Sequence, residues 1–203
     1  MIGALHQRFV FGRRVAVLAA HLARRLPDDA RVLDVGCGDG SIARAVMALR
    51  PGLEISGIDV LRRPAAAIPV GIFDGHSIPY GSGSFDGVVF IDVLHHTEDP
   101  SLLLREAARV SRGAIVLKDH LCESALQRAT LRLMDWIGNA HHGVALPYNY
   151  WSRKQWHAAF DALRLRVQSW DEDLGLYPPW ANWCFGGRLH FIACLTRSAE
   201  NKG

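Results

Sequence analysis

The sequence contains few cysteines and no long hydrophobic run. Four cysteines occur among its 203 residues, and no two of them form a C-x-x-C pair. A chain of this length can bury a core without disulfide or metal staples, so we expect reduced thiols and a cytoplasmic location. No apolar stretch reaches the roughly 18 residues of a transmembrane helix, so no stable membrane insertion is expected.

The sequence also lacks a strong excess of charge of one sign. Lysine and arginine total 23 against 20 aspartate and glutamate residues, which gives a formal net charge of +3. This balance lacks the concentrated basic patch of a nucleic-acid-binding protein, so no nucleic-acid partner is expected. Repeats, low-complexity tracts and linkers are absent too. We therefore predict a single domain over residues 1–203, with its oligomeric state left open.

Residues 1–27 are predicted to form an amphipathic helix. Their apolar run stops at His21, and no small-residue cleavage site follows. This favours a helix packed on the domain over a targeting segment or a membrane-surface helix. The apolar residues at helical spacing are Val15, Leu18, Ala19, Leu22 and Leu26.

After residue 29, short apolar runs alternate with helical patterns, which indicates β-α-β units and a parallel sheet. The predicted strands are residues 31–35, 54–58, 70–73, 87–91, 114–118, 164–169 and 189–195, and the predicted helices are residues 41–49, 101–110, 121–136 and 153–163. The crossover at residues 60–69 is too short for a full helix and contains Pro64. The fold class is therefore α/β, with one doubly wound, seven-stranded, mostly parallel sheet.

Ser152 and Gln155 have the spacing of a helix capping box. Trp151 then occupies the position that packs against Trp156 across the first helical turn. A structural role is therefore favoured for both tryptophans over contact with a substrate.

A glycine-rich run separates the first predicted strand from its helix. It reads Val32-Leu33-Asp34-Val35-Gly36-Cys37-Gly38-Asp39-Gly40. Glycines there let the backbone turn tightly and approach a ligand near a helix start. A dinucleotide fingerprint would need glycine or alanine where Ser41 stands. Asp59, at the end of the second strand, can accept both hydroxyls of a ribose or serve as a turn aspartate.

With these residues the sequence resembles class I methyltransferases that depend on S-adenosylmethionine. The likeness is in particular to the small-molecule branch that contains the ubiquinone and menaquinone biosynthesis enzymes. Two further segments carry the resemblance: residues 73–80, which begin Phe73-Asp74-Gly75, and residues 85–96, which end in Leu94-His95-His96. The resemblance implies a Rossmann-like fold with strand order 3-2-1-4-5-7-6 and an antiparallel last strand.

The resemblance also implies roles for single residues. Gly36, Gly38 and Gly40 would line the methionine half of the cofactor, and Asp34 would orient its amino group. Asp59 would bind the ribose and Asp74 the adenine amine, with Gly75 at a position that must be small. Backbone near Ile91 would meet the cofactor, whose product after transfer is S-adenosylhomocysteine.

Methyl transfer is an in-line attack that needs positioning and, for a hydroxyl or acidic carbon, a base. His95, His96 and His120 follow strand ends, where open parallel sheets bind ligands, and are the candidate bases. Each could instead cap a helix or bind backbone. Asp119 lies in the same region. No metal site is expected, since the adjacent His141 and His142 lack the spacing of a helical zinc pair.

Residues 121–150 form an insertion that could close as a lid or pack as a surface loop. A proline-rich turn contains Tyr177, Trp180 and Trp183. These residues could line a substrate site or simply pack within the turn.

The predicted function is S-adenosylmethionine-dependent methyl transfer to an oxygen or carbon of a small, partly apolar acceptor. A nucleic-acid amine is disfavoured because the fourth strand is followed by Asp92-Val93-Leu94-His95 rather than an N-P-P-Y-like motif. The alternatives are a protein methyltransferase, a catalytically silent subunit that still binds the cofactor, and a dehydrogenase.

Overall fold

Helices and strands alternate along the chain in the computed structural model, which describes residues 2–61, 63–139, 147–177 and 188–198. The strands are β1 (Arg31–Val35), β2 (Glu54–Asp59), β3 (Val70–Ile72), β4 (Phe85–Ile91), β5 (Ser111–His120), β6 (Leu165–Asp171) and β7 (His190–Arg197). The helices are α1 (Ile2–Ala23), α2 (Ser41–Leu49), α3 (Pro100–Val110), α4 (Ala125–Asn139) and α5 (Arg153–Ala162). A 3-10 turn, Leu94–His96, lies between β4 and α3.

The strands form one seven-stranded sheet in the order β3-β2-β1-β4-β5-β7-β6. β1 to β5 are parallel, whereas β7 runs antiparallel between β5 and β6. This confirms the predicted fold class and strand order. The parallel register places the carboxyl ends of β1, β2 and β4 at the same edge, because Val35 lies opposite both Ile58 and Phe90. Ligands of open parallel sheets bind at this edge.

Helices cover both faces of the sheet. On one face, α3 and α5 pack against a core that contains Phe90 and Leu117. On the other face, α1 and α2 pack against a core that contains Val32 and Val89. Successive side chains of a strand point to opposite faces, so central strands with both faces covered are apolar throughout.

The start of α5 has the predicted caps. Ser152 Oγ accepts a hydrogen bond from the Gln155 backbone at 3.3 Å, and the Gln155 side chain accepts from Ser152 N at 2.9 Å. The rings of Trp151 and Trp156 lie 4.8 Å apart. Trp156 is fully buried, and its Nε1 donates to His120 O. The capping box and the structural role of this tryptophan pair are therefore confirmed.

Two predicted boundaries near the fifth strand are wrong. The helix predicted from residue 121 begins at Ala125, because Ser124 caps it: its Oγ accepts from Gln127 N at 3.2 Å and its carbonyl oxygen from Arg128 N at 3.0 Å. The backbone N–H groups of Leu121 and Cys122 donate to Leu189 O and Trp151 O, outside the helix. β5 is longer than predicted because β7 pairs with it as far as His120, opposite His190.

The end predicted for the first helix is also wrong. The helix stops at Ala23 rather than at residue 27. Pro27 disfavours helical backbone at the residue before it, so the chain turns away before reaching β1. The remaining strands and helices lie within two residues of their predicted bounds, apart from the far end of α4.

The crossover between β2 and β3 contains turns and bends, and none of its described residues is helical, as predicted. No helix in the described part of the chain combines the length and apolar character needed to cross a membrane. Trp180, Trp183, His141 and His142 lie outside the described residues, as does part of the predicted insertion.

Candidate functional site

A cavity of about 510 Å³ opens at the carboxyl ends of β1, β2, β3 and β4. This volume falls in the range of small-molecule sites. Five residues predicted to contact a cofactor are part of its wall, namely Gly36, Gly38, Asp59, Asp74 and Gly75. Other wall residues include Arg63, Asp92, Val93 and His96.

The glycine run after β1 brings backbone close to the cavity. Gly36 has φ +71°, and a Cβ atom there would lie 2.5 Å from Cγ2 of Val93. Gly38 has φ +57°, and a Cβ atom there would meet none of the described atoms within 4 Å. The first glycine is thus required by close packing against the β4 exit, and the second by its left-handed conformation beside open space.

Asp59 is held at the cavity edge by backbone. Its Oδ2 accepts a hydrogen bond from Gly38 N at 2.8 Å, and its Oδ1 accepts from Leu61 N at 2.9 Å. The carboxylate is buried, yet it is part of the cavity wall. Each oxygen keeps a second lone pair, so the group can accept hydrogen bonds from a ligand in a fixed orientation.

Asp74 shapes the turn after β3. Its Oδ1 accepts hydrogen bonds from the backbone N–H groups of Ser77 and His76, each at 2.7 Å, and these bonds lower the pKa of the carboxyl. Within the described ranges, no group donates to Oδ2. The turn therefore leaves one charged oxygen available to a ligand donor.

Three of the predicted cofactor residues lie outside the cavity wall. Asp34 is buried within β1, where burial and the nearby Asp59 carboxylate raise its pKa to about 7. Gly40 is the N-cap of α2. Ile91 packs with the core beneath α1 and α2. These three residues therefore lie next to the glycine-rich loop or in the core, and not in the cavity wall.

A mostly buried polar cluster lies at the ends of β4 and β5 and includes side chains from α4 and the segment before α5. We call it the histidine cluster, and its members are His95, the half-buried His96, His120, Asp119, Asp135 and Tyr150. His95 Nδ1 lies 2.6 Å from Asp119 Oδ1. Burial alone would lower the pKa of His95, but the Asp119 and Asp135 carboxylates raise it to about 10.

His96 is the one predicted catalytic histidine that reaches the cavity wall. Burial and the positive charge of His95 lower its pKa to about 4, so its ring is neutral at neutral pH. His95 and His120 are buried behind it, and their Nδ1 atoms lie 3.2 Å apart. This burial separates both side chains from the cavity, so their catalytic roles stay predictions.

Sequence reasoning missed Asp135 and Tyr150. Asp135 lies on α4, and its carboxylate accepts a hydrogen bond from the Tyr150 hydroxyl. Neither residue belongs to a motif. α4 brings Asp135, and the segment before α5 brings Tyr150, to the sheet edge only through tertiary packing.

A second buried charge network lies beside the cavity. Asp92 has φ +56°, and its carboxylate forms ion pairs with Lys118 on β5 and Arg14 on α1. Burial alone would raise the pKa of Asp92, but the ammonium and guanidinium groups lower it well below its ordinary value. The sequence analysis did not identify this network. Lys118 could have indicated it, because a lysine inside an apolar strand pattern requires a buried partner.

The chain belongs to the methyltransferase domain family, since a family profile with that description matches residues 5–169. Among curated relatives, the 27-O-demethylrifamycin SV methyltransferase of Amycolatopsis mediterranei is 35% identical over 118 residues, covering 51% of this chain and 43% of that protein. The ubiquinone biosynthesis O-methyltransferase of Dechloromonas aromatica is 32% identical over 92 residues, covering 39% of each. The chain thus spans less than half the length of these relatives.

The fold is also similar to that of solved methyltransferases. The structure of geranyl diphosphate methyltransferase in complex with GPP and sinefungin superposes with a TM-score of 0.66 at 15% sequence identity. The match covers 89% of this chain and 76% of that one. At this identity the likeness concerns the fold alone.

Proposed function

We propose that the protein transfers a methyl group from S-adenosylmethionine to an oxygen or carbon of a small molecule, leaving S-adenosylhomocysteine. The observation that carries the proposal is that the predicted cofactor residues meet in the wall of one cavity. Gly36, Gly38, Asp59, Asp74 and Gly75 follow three different strands and meet around one space of about 510 Å³. A small-molecule cofactor of nucleoside size is compatible with that volume.

The wall offers suitable groups for each part of such a cofactor. The fixed Asp59 carboxylate can accept hydrogen bonds from ribose hydroxyls, and Asp74 Oδ2 can accept one from an adenine amine. Gly38 leaves room for the amino-acid portion to approach backbone. When bound, the cofactor supplies an electrophilic methyl group on a sulfonium.

The acceptor is proposed to bind beside His96, which closes the wall after β4. A neutral imidazole can take a proton from an acceptor hydroxyl as the new bond to carbon forms. The names of the two curated relatives support a small-molecule acceptor, and one of them specifies O-methylation. Positioning and exclusion of water would supply the rest of the rate enhancement.

Cofactor binding is tested by titration calorimetry with S-adenosylhomocysteine. We expect a Kd at micromolar level or tighter, equivalent to about −8 kcal/mol. Asp59→Ala should weaken binding by about tenfold or more, because it removes a charged acceptor. Asp161→Ala, an exposed aspartate on α5, is the control and should bind as the wild type does. Absence of heat with the wild type, or preferential binding of NAD, would reject the proposal.

The His96 role is tested by separating binding from turnover. His96→Ala should leave the affinity for S-adenosylhomocysteine within a few-fold of the wild type. Its rate of methyl transfer to a hydroxylated acceptor should fall by about 10² to 10⁴ if the ring takes the proton. Unchanged turnover would show that the acceptor needs only positioning, and a cofactor that binds with no product for any acceptor would favour the silent-subunit alternative.

A further inference from the structure

Three groups of metal-ligating side chains come together in the histidine cluster and the network beside it. They are Asp92, His120 and His190; His95, Asp119 and His120; and His95, His96 and Asp135. In each group, one donor atom per residue lies within 4.8 Å of the others. The three groups differ in whether those atoms already have partners.

Two of the groups are already committed to other interactions. The Asp92 carboxylate is neutralised by Lys118 and Arg14, and Lys118 Nζ also lies 3.1 Å from His190 Nδ1. A cation there would meet two positive side chains. In the second group, His95 Nδ1 and Asp119 Oδ1 bind each other at 2.6 Å.

The third group keeps two ring nitrogens without a hydrogen bond among the described residues, although its carboxylate oxygen, Asp135 Oδ2, also accepts from the Tyr150 hydroxyl. His95 Nε2 and His96 Nδ1 are both buried and make no hydrogen bond within the described ranges. Buried polar atoms without partners are rare in folded proteins, so two in neighbouring residues call for an explanation. His95 is only 1% exposed, and its Nε2 lies 3.5 Å from Asp135 Oδ2.

The distance of 3.5 Å between His95 Nε2 and Asp135 Oδ2 suits a shared metal ion better than a direct hydrogen bond. Zinc binds imidazole nitrogen and carboxylate oxygen at about 2.0 to 2.2 Å, which in a tetrahedral site places two ligand atoms about 3.4 Å apart. A direct N–H···O hydrogen bond is about 2.9 Å long. The distance from His95 Nε2 to Asp135 Oδ2 therefore leaves room for one ion between them.

The surroundings have the features of a metal site as well. Asp119 accepts from His95 Nδ1, which turns Nε2 of the same ring towards Asp135, in the arrangement that commonly orients metal-binding histidines. Tyr150 likewise holds the Asp135 carboxylate. A divalent cation that takes the place of the His95 Nε2 proton would offset the negative charge of the two buried carboxylates that face this ring.

We propose that His95, His96 and Asp135 bind one divalent metal ion of the zinc type, with Asp119 as the positioning residue for His95. Two histidines and one carboxylate suit ions that prefer imidazole and leave a further coordination position open. With an ion on His96 the ring could not also act as a base, so the proton transfer proposed above applies to the metal-free chain. The metal site stands on its own geometry, independent of the proposed methyl transfer.

The experiment measures zinc binding to the full chain purified without a histidine tag. The protein is stripped with a chelator, reloaded with zinc, and analysed by elemental mass spectrometry and by competition with a chromophoric chelator. We expect about one ion per chain for the wild type. His96→Ala and Asp135→Asn should lose that ion, and Asp119→Asn should bind it about 10- to 100-fold more weakly.

His157→Ala is the matched control, since this histidine lies on α5 and stacks on Trp170. It should retain the ion. Circular dichroism verifies folding, and either His96→Ala or Asp135→Asn suffices if the other does not fold. The proposal is overturned if the reloaded wild type holds no stoichiometric zinc, or if both ligand variants retain it with wild-type affinity. Calorimetry with S-adenosylhomocysteine separates this failure from failure of the cofactor site.

Discussion

Two acidic side chains at the ends of neighbouring strands share one buried environment. Asp34 on β1 and Asp59 on β2 are both shielded from water, but of the two only Asp59 accepts hydrogen bonds from backbone N–H groups of the described residues. Asp59 is therefore the carboxylate whose orientation the backbone fixes. Asp34 has no such hydrogen bonds from the described residues, and burial together with the nearby Asp59 carboxylate raises its pKa to about 7.

The raised pKa predicts a dependence of stability on pH. The unfolded chain loses the Asp34 proton near pH 4 and the folded chain near pH 7, so the free energy of unfolding should fall across that interval and level off above it. The full effect corresponds to about 4 kcal/mol. Urea unfolding at pH 5 and pH 8 should show about 3 kcal/mol of it, because the interval from pH 5 to pH 7 spans about two of the three pH units. Asp34→Asn should remove this part of the pH difference, and an identical difference in both proteins would contradict the assignment.

At this scale the sequence predicted the placement of residues that follows from their position along a strand. Gly36, Gly38 and Asp59 stand at strand ends that the parallel register brings together, and they line the cavity. The histidines were less predictable. His95 and His96 are adjacent in sequence, but the 3-10 turn buries one and places the other in the wall.

At the scale of elements, β5 links the sheet to both buried networks. Lys118 and Asp119 are consecutive on this strand, so they point to opposite faces, towards Asp92 and His95 respectively. The sequence predicted the strand but ended it at residue 118, because its last two residues are polar. Pairing with β7 and burial of those polar groups extend it to His120, and neither is visible from local pattern.

Removal of Lys118, which pairs with Asp92, should strongly lower the free energy of unfolding. Lys118 is fully buried, and Lys118→Ala would leave Asp92 with Arg14 as its remaining arginine or lysine partner within the described residues. Loss of one partner of a buried pair costs about 3 kcal/mol or more. The control is Arg112→Ala, whose pair with Asp86 is exposed and should cost under about 1 kcal/mol. Urea unfolding compares them, and equal losses would show that the buried pair adds no more than the exposed one.

Across the whole molecule, the cavity depends on strands that are distant from one another in sequence. Its wall takes residues from the exits of β1, β2, β3 and β4, and α1 reaches the same edge through Arg14 and Asp92. The order of these strands was predictable only through the resemblance to a family, since local patterns locate strands without ordering them. The start of α4 was predicted too early: Ser124 caps the helix, and the backbone of Leu121 and Cys122 before it is hydrogen-bonded to Leu189 and Trp151.

A ligand in this cavity should therefore stabilise the chain as one unit. S-adenosylhomocysteine at 100 times its Kd should add about 2.7 kcal/mol to the free energy of unfolding. For a chain of this size that corresponds to a rise in Tm of roughly 5 to 10 °C. In scanning calorimetry a single transition should move, and NAD at the same concentration should not move it. Asp59→Ala, if it binds tenfold more weakly, should show about half the added free energy at that concentration. Two transitions, of which the ligand moves only one, would show that the cavity belongs to a part of the chain that unfolds separately.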